Sequence, residues 1–279
     1  VENPSFDALP KAVVAPHLDY GRGWLNYAHV YGRLRVVDKP DRIIILGTNH
    51  FGHGTGVCGC DKGYETPLGV CEADTEFASA LRRRLGEEKS KLLFEHRYDH
   101  EREHSIELHI PWIQHVFGVD DKRRGPKVFA ALVHDPSANN GESYDGKGLG
   151  ILPFIDAMKQ AIADSPGRTL VVASADLSHV GASFGDKVSI VGDDPKSVEF
   201  RNSVLQTDQE MLGLVANGKA EELVSSMAWR QNSTRWCSVG NLVAMMKIVG
   251  AEKVDILNYT MAGDQQGVAM VSSCAGVVR

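Results

Sequence analysis

At 279 residues the chain is longer than a typical domain of about 100–200 residues, yet it still fits one large domain spanning 1–279. Hydrophobic residues make up 43% and charged residues 24%, which excludes a collagenous or wholly disordered chain. Thirty Lys plus Arg against 36 Asp plus Glu leave a net charge of −6, which predicts neither a nucleic-acid nor an anionic-lipid partner and points to a small molecule or a peptide.

Short β-branched runs alternate with longer helical patterns along the chain. Residues Ala12–Ala15 read as a strand, Gly23–Arg35 as a helix, Arg42–Leu46 as a strand, and Asp74–Leu85 and Ser105–Val116 as helices. Lys127–Val133 (strand), Leu152–Asp164 (helix), Leu170–Ala173 (strand), Val198–Ala216 and Ala220–Met227 (helices) continue the pattern. Ser238–Val249, stopped by Gly250, is the last helix, and Val254–Tyr259 and Val268–Ser272 are the last strands. The alternation predicts an α/β fold, a single domain with a largely parallel central sheet flanked by helices. Asp120–Pro126 and Asp135–Gly150 read as surface loops, and Gly181–Pro195 as a loop or an active-site flap.

Apolar runs such as Ile43–Leu46 fall far short of the roughly 18 residues that span a bilayer, so no membrane partner is expected. The sequence opens on Val1 rather than Met, so export is not judged from its start. Five cysteines, at 58, 60, 71, 237 and 274, form no regular framework; they favour reduced thiols and a cytoplasmic location. Cys58, Cys60 and Cys71 read as loop or packing residues.

Three of the eleven histidines follow predicted strands: His17 after Ala12–Ala15, His50 after Arg42–Leu46, and His179 after Leu170–Ala173. Parallel strands end together, so these imidazoles share the rim where ligands bind in open α/β sheets. Taken singly, each is also compatible with an ordinary turn histidine. Cys237 stands at the start of the predicted helix Ser238–Val249, where the helix dipole favours a thiolate that binds metals or attacks electrophiles. A buried inert cysteine is the alternative.

The segment His100-Glu101-Arg102-Glu103-His104 matches H-E-x-x-H literally. It is almost wholly charged and precedes the apolar-periodic stretch at Ile106, Ile110 and Ile113, unlike the buried helix of a zinc protease. Within Glu103–Pro111, His104 and Glu107 are i, i+3 neighbours able to meet on one helix face, and His104 is the better candidate for acid–base work.

Pro16-His17, Ile45-Leu46-Gly47-Thr48-Asn49-His50, Tyr64-Glu65-Thr66-Pro67-Leu68-Gly69, Glu103-His104-Ser105-Ile106-Glu107, Ser174-Ala175-Asp176-Leu177-Ser178-His179 and Trp236-Cys237 occur in order. In this the chain resembles the Memo family, including the AmmeMemoRadiSam system protein B group, over most of its length. The resemblance implies a fold like that of class III extradiol ring-cleaving dioxygenases. It also implies metal ligands at His17, His50 and Cys237, an acid–base histidine at His179, and Asp176 in the same motif. Iron(II) is the first cofactor this suggests, with copper or zinc as alternatives because a thiolate replaces the carboxylate ligand of the ring-cleaving relatives. The implied activity is oxygen-dependent oxidation or ring cleavage of a catechol-like molecule. A non-catalytic metal- or peptide-binding protein is the rival, and a hydrolase using Cys237 with His179, or zinc, the third reading. The chain departs from the family pattern at Leu18-Asp19, at Phe51 and at Ser238-Val239.

Overall fold

The structure, a computed structural model, describes residues 4–279. Its centre is made by β1 (Ala12–Ala15), β2 (Arg42–Gly47), β6 (Lys127–Leu132) and β7 (Thr169–Ser174), parallel in the order β6-β2-β7-β1. Between β2 and β6 the chain lays down β3 (Cys58–Cys60) and a small hairpin of β4 (Tyr64–Thr66) and β5 (Gly69–Cys71). The flanks of the central sheet are antiparallel: β3 pairs with β6, and β10 (Met270–Val278) pairs with β1, with β8 (Asp176–Val180) and with β9 (Asp255–Gly263). The eight-stranded sheet is therefore mixed, with a parallel middle.

Continuous apolar runs such as Ile43–Leu46 arise because both faces of the middle strands are covered. Ile44 and Leu46 enter one core with α2 (Thr75–Glu95), α5 (Ile151–Asp164), α6 (Pro195–Ala216), α7 (Ala220–Trp229) and α8 (Val239–Val249). Ile43 and Ile45 enter a second core with α1 (Tyr20–Leu34) and α4 (Ile110–Phe117). Fully burying one such side chain stabilises the fold by about 1.5–3 kcal/mol, so the two faces together fix the strand register. Among the described residues no helix is long and apolar enough to cross a membrane.

Several expectations are corrected. The helix expected over Ser105–Val116 is two pieces, α3 (His104–Glu107) and α4, with Pro111 in the first turn of α4, where its missing N–H is harmless. The helix expected over Asp74–Leu85 runs on to Glu95, with a kink at Gly86, whose φ of 76° suits glycine. Cys58 and Cys60, expected as loop or packing residues, are packing residues on a buried edge strand, not in a loop. His179 does not follow β7 as a loop residue: after Ala175 the chain re-enters the sheet as β8, and His179 pairs with Val271.

Candidate metal centre

β1 ends at Ala15 and β2 at Gly47, so His17 and His50 are delivered to the same sheet edge, where the turn before α8 brings Cys237. One ligand atom from each of His17, His50 and Cys237 lies within 4.8 Å of the others. His17 Nε2 is 3.2 Å from Cys237 Sγ, and the rings of His17 and His50 meet edge to face at 5.1 Å.

The hydrogen bonds behind each imidazole select its tautomer. Ser174 Oγ donates to Ser105 O at 2.6 Å, so at 2.9 Å from His17 Nδ1 it must accept, which places the proton on Nδ1 and leaves Nε2 facing Cys237. His50 Nδ1 donates to Glu103 Oε1 at 2.9 Å while its backbone N–H donates to Oε2 at 2.7 Å. Glu103 Oε1 also takes the Ser105 N–H at 2.9 Å and faces His104 Nδ1 at 3.2 Å. His179 Nδ1 donates to Leu177 O at 2.9 Å and Arg235 O at 3.1 Å. Four imidazoles thus turn Nδ1 toward the protein; Nε2 of His17 faces Cys237 Sγ, and Nε2 of His50, His104 and His179 is left for a ligand.

Glu103, barely exposed at 1%, stays ionised: hydrogen bonds and the charge of His50 outweigh its burial and hold its carboxyl down at about 2. Asp176 is the opposite case. It accepts the His17 backbone N–H at 3.0 Å, but burial dominates and lifts its carboxyl to about 7. Burial, reinforced by the other imidazoles, pushes His17 well below the usual histidine range, and burial also lowers His104 and His179. The expected thiolate at Cys237 is corrected. Cys237 precedes the N-cap residue Ser238, and burial together with the Asp176 charge raises its thiol well above the ordinary value. The free side chain is a thiol, which weakens the reading of Cys237 as an unassisted nucleophile.

The donor set suits a transition metal. Ordinary metal–nitrogen and metal–sulfur bond lengths put neighbouring donors in a tetrahedral site about 3.5 Å apart, close to the separation of His17 Nε2 and Cys237 Sγ. A second group, His50, Glu103 and His104, also lies within 4.8 Å, but Glu103 is already saturated by donors and fits better as the buttress of the two imidazoles.

His104 stands at the mouth, its side chain 42% exposed and its ring 4.8 Å from His50. Its carboxylate partner is Glu103 rather than the expected Glu107, which is exposed. Phe51, 65% exposed, packs 5.9 Å from both rings. His179 is near enough for its charge to oppose that of His17 and His50. His100 and His104 do not share a helix face. A 3₁₀ turn over Arg97–Arg102 and an extended Glu103 separate them, and His100 is buried against Tyr64 OH and Cys58 O. A cavity of about 770 Å³ beside Trp229, Leu152 and Val224 is lined by none of these imidazoles; its charged lining residues, Glu221 and Lys247, are paired with each other.

Glu103, Ser174 and Asn241, which hydrogen-bond the candidate ligands or the segments that carry them, were not singled out from sequence as supports of the site. Glu103 and Ser174 lie in the Glu103–Glu107 and Ser174–His179 motifs, whereas Asn241 carried no signal.

Fold and site together define an α/β protein with a candidate His-His-Cys metal centre at the ends of its parallel strands. The family profile described as Memo-like protein matches residues 2–278, and the chain belongs to that family. It is 28% identical to a MEMO1 family protein of Methanothermobacter thermautotrophicus over 92% of this chain and 79% of that protein. A MEMO1 family protein of Desulfurococcus amylolyticus is 29% identical over 91% of this chain and 77% of its own. A solved structure of an uncharacterized protein from Escherichia coli K12 aligns over 97% of this chain and 100% of that chain with a TM-score of 0.46 and 12% identity, too distant to carry an argument.

Proposed function

We propose that this protein binds one transition-metal ion through His17, His50 and Cys237, iron(II) before copper or zinc, and uses it for oxygen-dependent oxidation or ring cleavage of a catechol-like molecule. The observation that carries the reading is the convergence of three ligand atoms within 4.8 Å, with the His17 and His50 tautomers set by Ser174 and Glu103. When bound, such an ion supplies Lewis acidity at its open positions and, in the case of iron, electrons for dioxygen.

The chain's own groups divide the remaining work. His179, kept neutral by burial and with Nδ1 tied to two carbonyls, offers Nε2 as the base for a phenolic proton. His104, half-exposed at the mouth and backed by Glu103, orients the incoming molecule or returns a proton. Asp176, lifted to about 7, holds a proton beneath His17 near neutral pH. The exposed Phe51 ring gives the mouth an apolar lip for a flat ligand.

The test is metal analysis of anaerobically purified wild type beside Cys237→Ala, followed by oxygen uptake of iron-loaded protein with a panel of catechols and aminophenols and His179→Ala as control. One equivalent of metal, lost in Cys237→Ala, together with uptake lost in His179→Ala, supports the reading. Equal metal in both proteins removes the ligand assignment. Metal binding without uptake of oxygen favours a non-catalytic metal- or peptide-binding protein.

A further inference from the structure

Asn241, in the first turn of α8, is fully buried where three ligand-bearing segments meet. Its Nδ2 donates to Thr48 Oγ1 at 2.9 Å and to Ser174 O at 2.6 Å. Thr48 Oγ1 gives its own proton to Cys237 O at 2.9 Å, so toward Asn241 it can only accept. Both partners of Nδ2 are therefore acceptors, and a flipped amide would set its carbonyl against two oxygens. Asn241 Oδ1, by contrast, is buried with no partner among the described residues. An amide left half-satisfied in the interior is held there for its donor end.

The two bonds reach all three ligands. Thr48 lies two residues before His50 on the chain leaving β2, and its hydroxyl pins the carbonyl of Cys237. Ser174 closes β7, and its hydroxyl accepts from His17 Nδ1. A leucine at 241 would break both bonds, and an aspartate would face both acceptors with a charge.

We propose that Asn241 is a positioning residue that sets the mutual separation of His17, His50 and Cys237, with Thr48 relaying its hold to the cysteine. This rests on the metal-site reading above. Supports of this kind typically change metal affinity by about 10–100-fold when removed.

Cobalt(II) is the probe: its thiolate charge-transfer band reports Cys237 and its d–d bands report coordination geometry. Wild type, Asn241→Ala, Thr48→Val, the double variant and Cys237→Ser, each checked for native far-UV circular dichroism, are titrated anaerobically against a competing chelator. Wild type is expected to bind one equivalent with a charge-transfer band that Cys237→Ser abolishes. Asn241→Ala and Thr48→Val are expected to keep that band, change the d–d envelope and bind about 10–100-fold more weakly, with the double variant no weaker than Asn241→Ala alone. Wild-type affinity and an unchanged envelope in both single variants overturn the positioning role and leave the metal site standing. A charge-transfer band that survives in Cys237→Ser overturns the metal-site reading instead, and this proposal with it. If Asn241→Ala does not fold, Thr48→Val decides alone by the same criteria.

Discussion

His17 Nε2 and Cys237 Sγ lie 3.2 Å apart although 220 positions separate them in the chain. Nothing local holds them together. β1 and β7 run parallel and in register up to Ala15 and Ser174, so Ser174 Oγ arrives under His17, while Ser238 Oγ and Cys237 Sγ both reach back to Asp176 O, where β8 begins. The candidate site is a property of how the sheet ends.

Glu103→Gln follows directly. The carboxylate accepts two hydrogen bonds from His50 and one from the Ser105 N–H and faces His104 Nδ1, whereas an amide offers one acceptor oxygen and points donors at donors. Metal affinity, measured by chelator competition, is expected to fall about 10–100-fold with the fold retained. Unchanged affinity would show that His50 needs no buttress.

The strands that carry the ligands were legible because β1, β2 and β7 are buried on both faces and read as unbroken apolar runs. β8 was not. Its Asp-Leu-Ser-His-Val offers only two strongly apolar residues, and its pairing is specified by β10, nearly a hundred residues away. The division of α3 from α4 was announced by Pro111, which marks a helix start more naturally than an interior. His17, His50, His179 and Cys237 stood out as histidines and a cysteine next to predicted elements. Asn241 did not, because an isolated polar residue in an apolar stretch has no spacing signal and only the acceptors facing it reveal its role; Ser174 stood within the Ser174–His179 motif, but its bond to His17 Nδ1 depends on the register of β1 and β7.

A pH dependence of stability comes from two histidines away from the ligands. Burial lowers His109, bonded through Nδ1 to Tyr31 OH, to about 3, and His100 to about 4. Both are depressed below the unfolded value near 6.5, so on acidification the unfolded chain takes up their protons first and stability falls as pH drops below about 6.5. Each proton contributes about 1.4 kcal/mol per pH unit. Asp176, raised to about 7, takes up its proton in the native state and opposes the trend by about one proton's worth. Urea midpoints should fall from pH 7 to pH 5, and His109→Phe should flatten the slope by roughly one proton. A midpoint that does not move over this range would contradict the burial of both rings.

Asp208 is expected to be a stability determinant behind the site. This buried carboxylate of α6 accepts from Ser178 Oγ at 2.5 Å, Trp236 Nε1 at 2.7 Å, Tyr259 OH at 2.6 Å and Ser272 Oγ at 2.5 Å. Two of those donors, Ser178 and Trp236, adjoin His179 and Cys237 in sequence. Asp208→Asn removes the charge that strengthens these four bonds and replaces one acceptor oxygen by an NH2 group, so the Tyr259 and Ser272 hydroxyls would have to turn from donating to accepting, a loss of about 1–3 kcal/mol. Urea unfolding followed by tryptophan emission tests it, and an Asn variant of wild-type stability would show the network to be dispensable.

The seat of α8 rests on Gly240. A Cβ there would lie 2.1 Å from the His134 carbonyl and 2.9 Å from Val133 Cγ1, so the helix can meet the end of β6 only where no side chain intervenes. Neither obstacle is the far end of a flexible chain, hence Gly240→Ala must push the first turn of α8 outward, at about 1–3 kcal/mol for overpacking. That turn carries Asn241 and follows Cys237, so the displacement falls on both the thiol and the amide that locates it. Weaker metal binding and lower stability are therefore expected together in Gly240→Ala. On an exposed helix face the same change would add helix propensity and stabilise. Urea midpoint and cobalt titration on one preparation separate the two outcomes, and a stabilised variant with intact binding would mean that α8 does not approach β6 this closely.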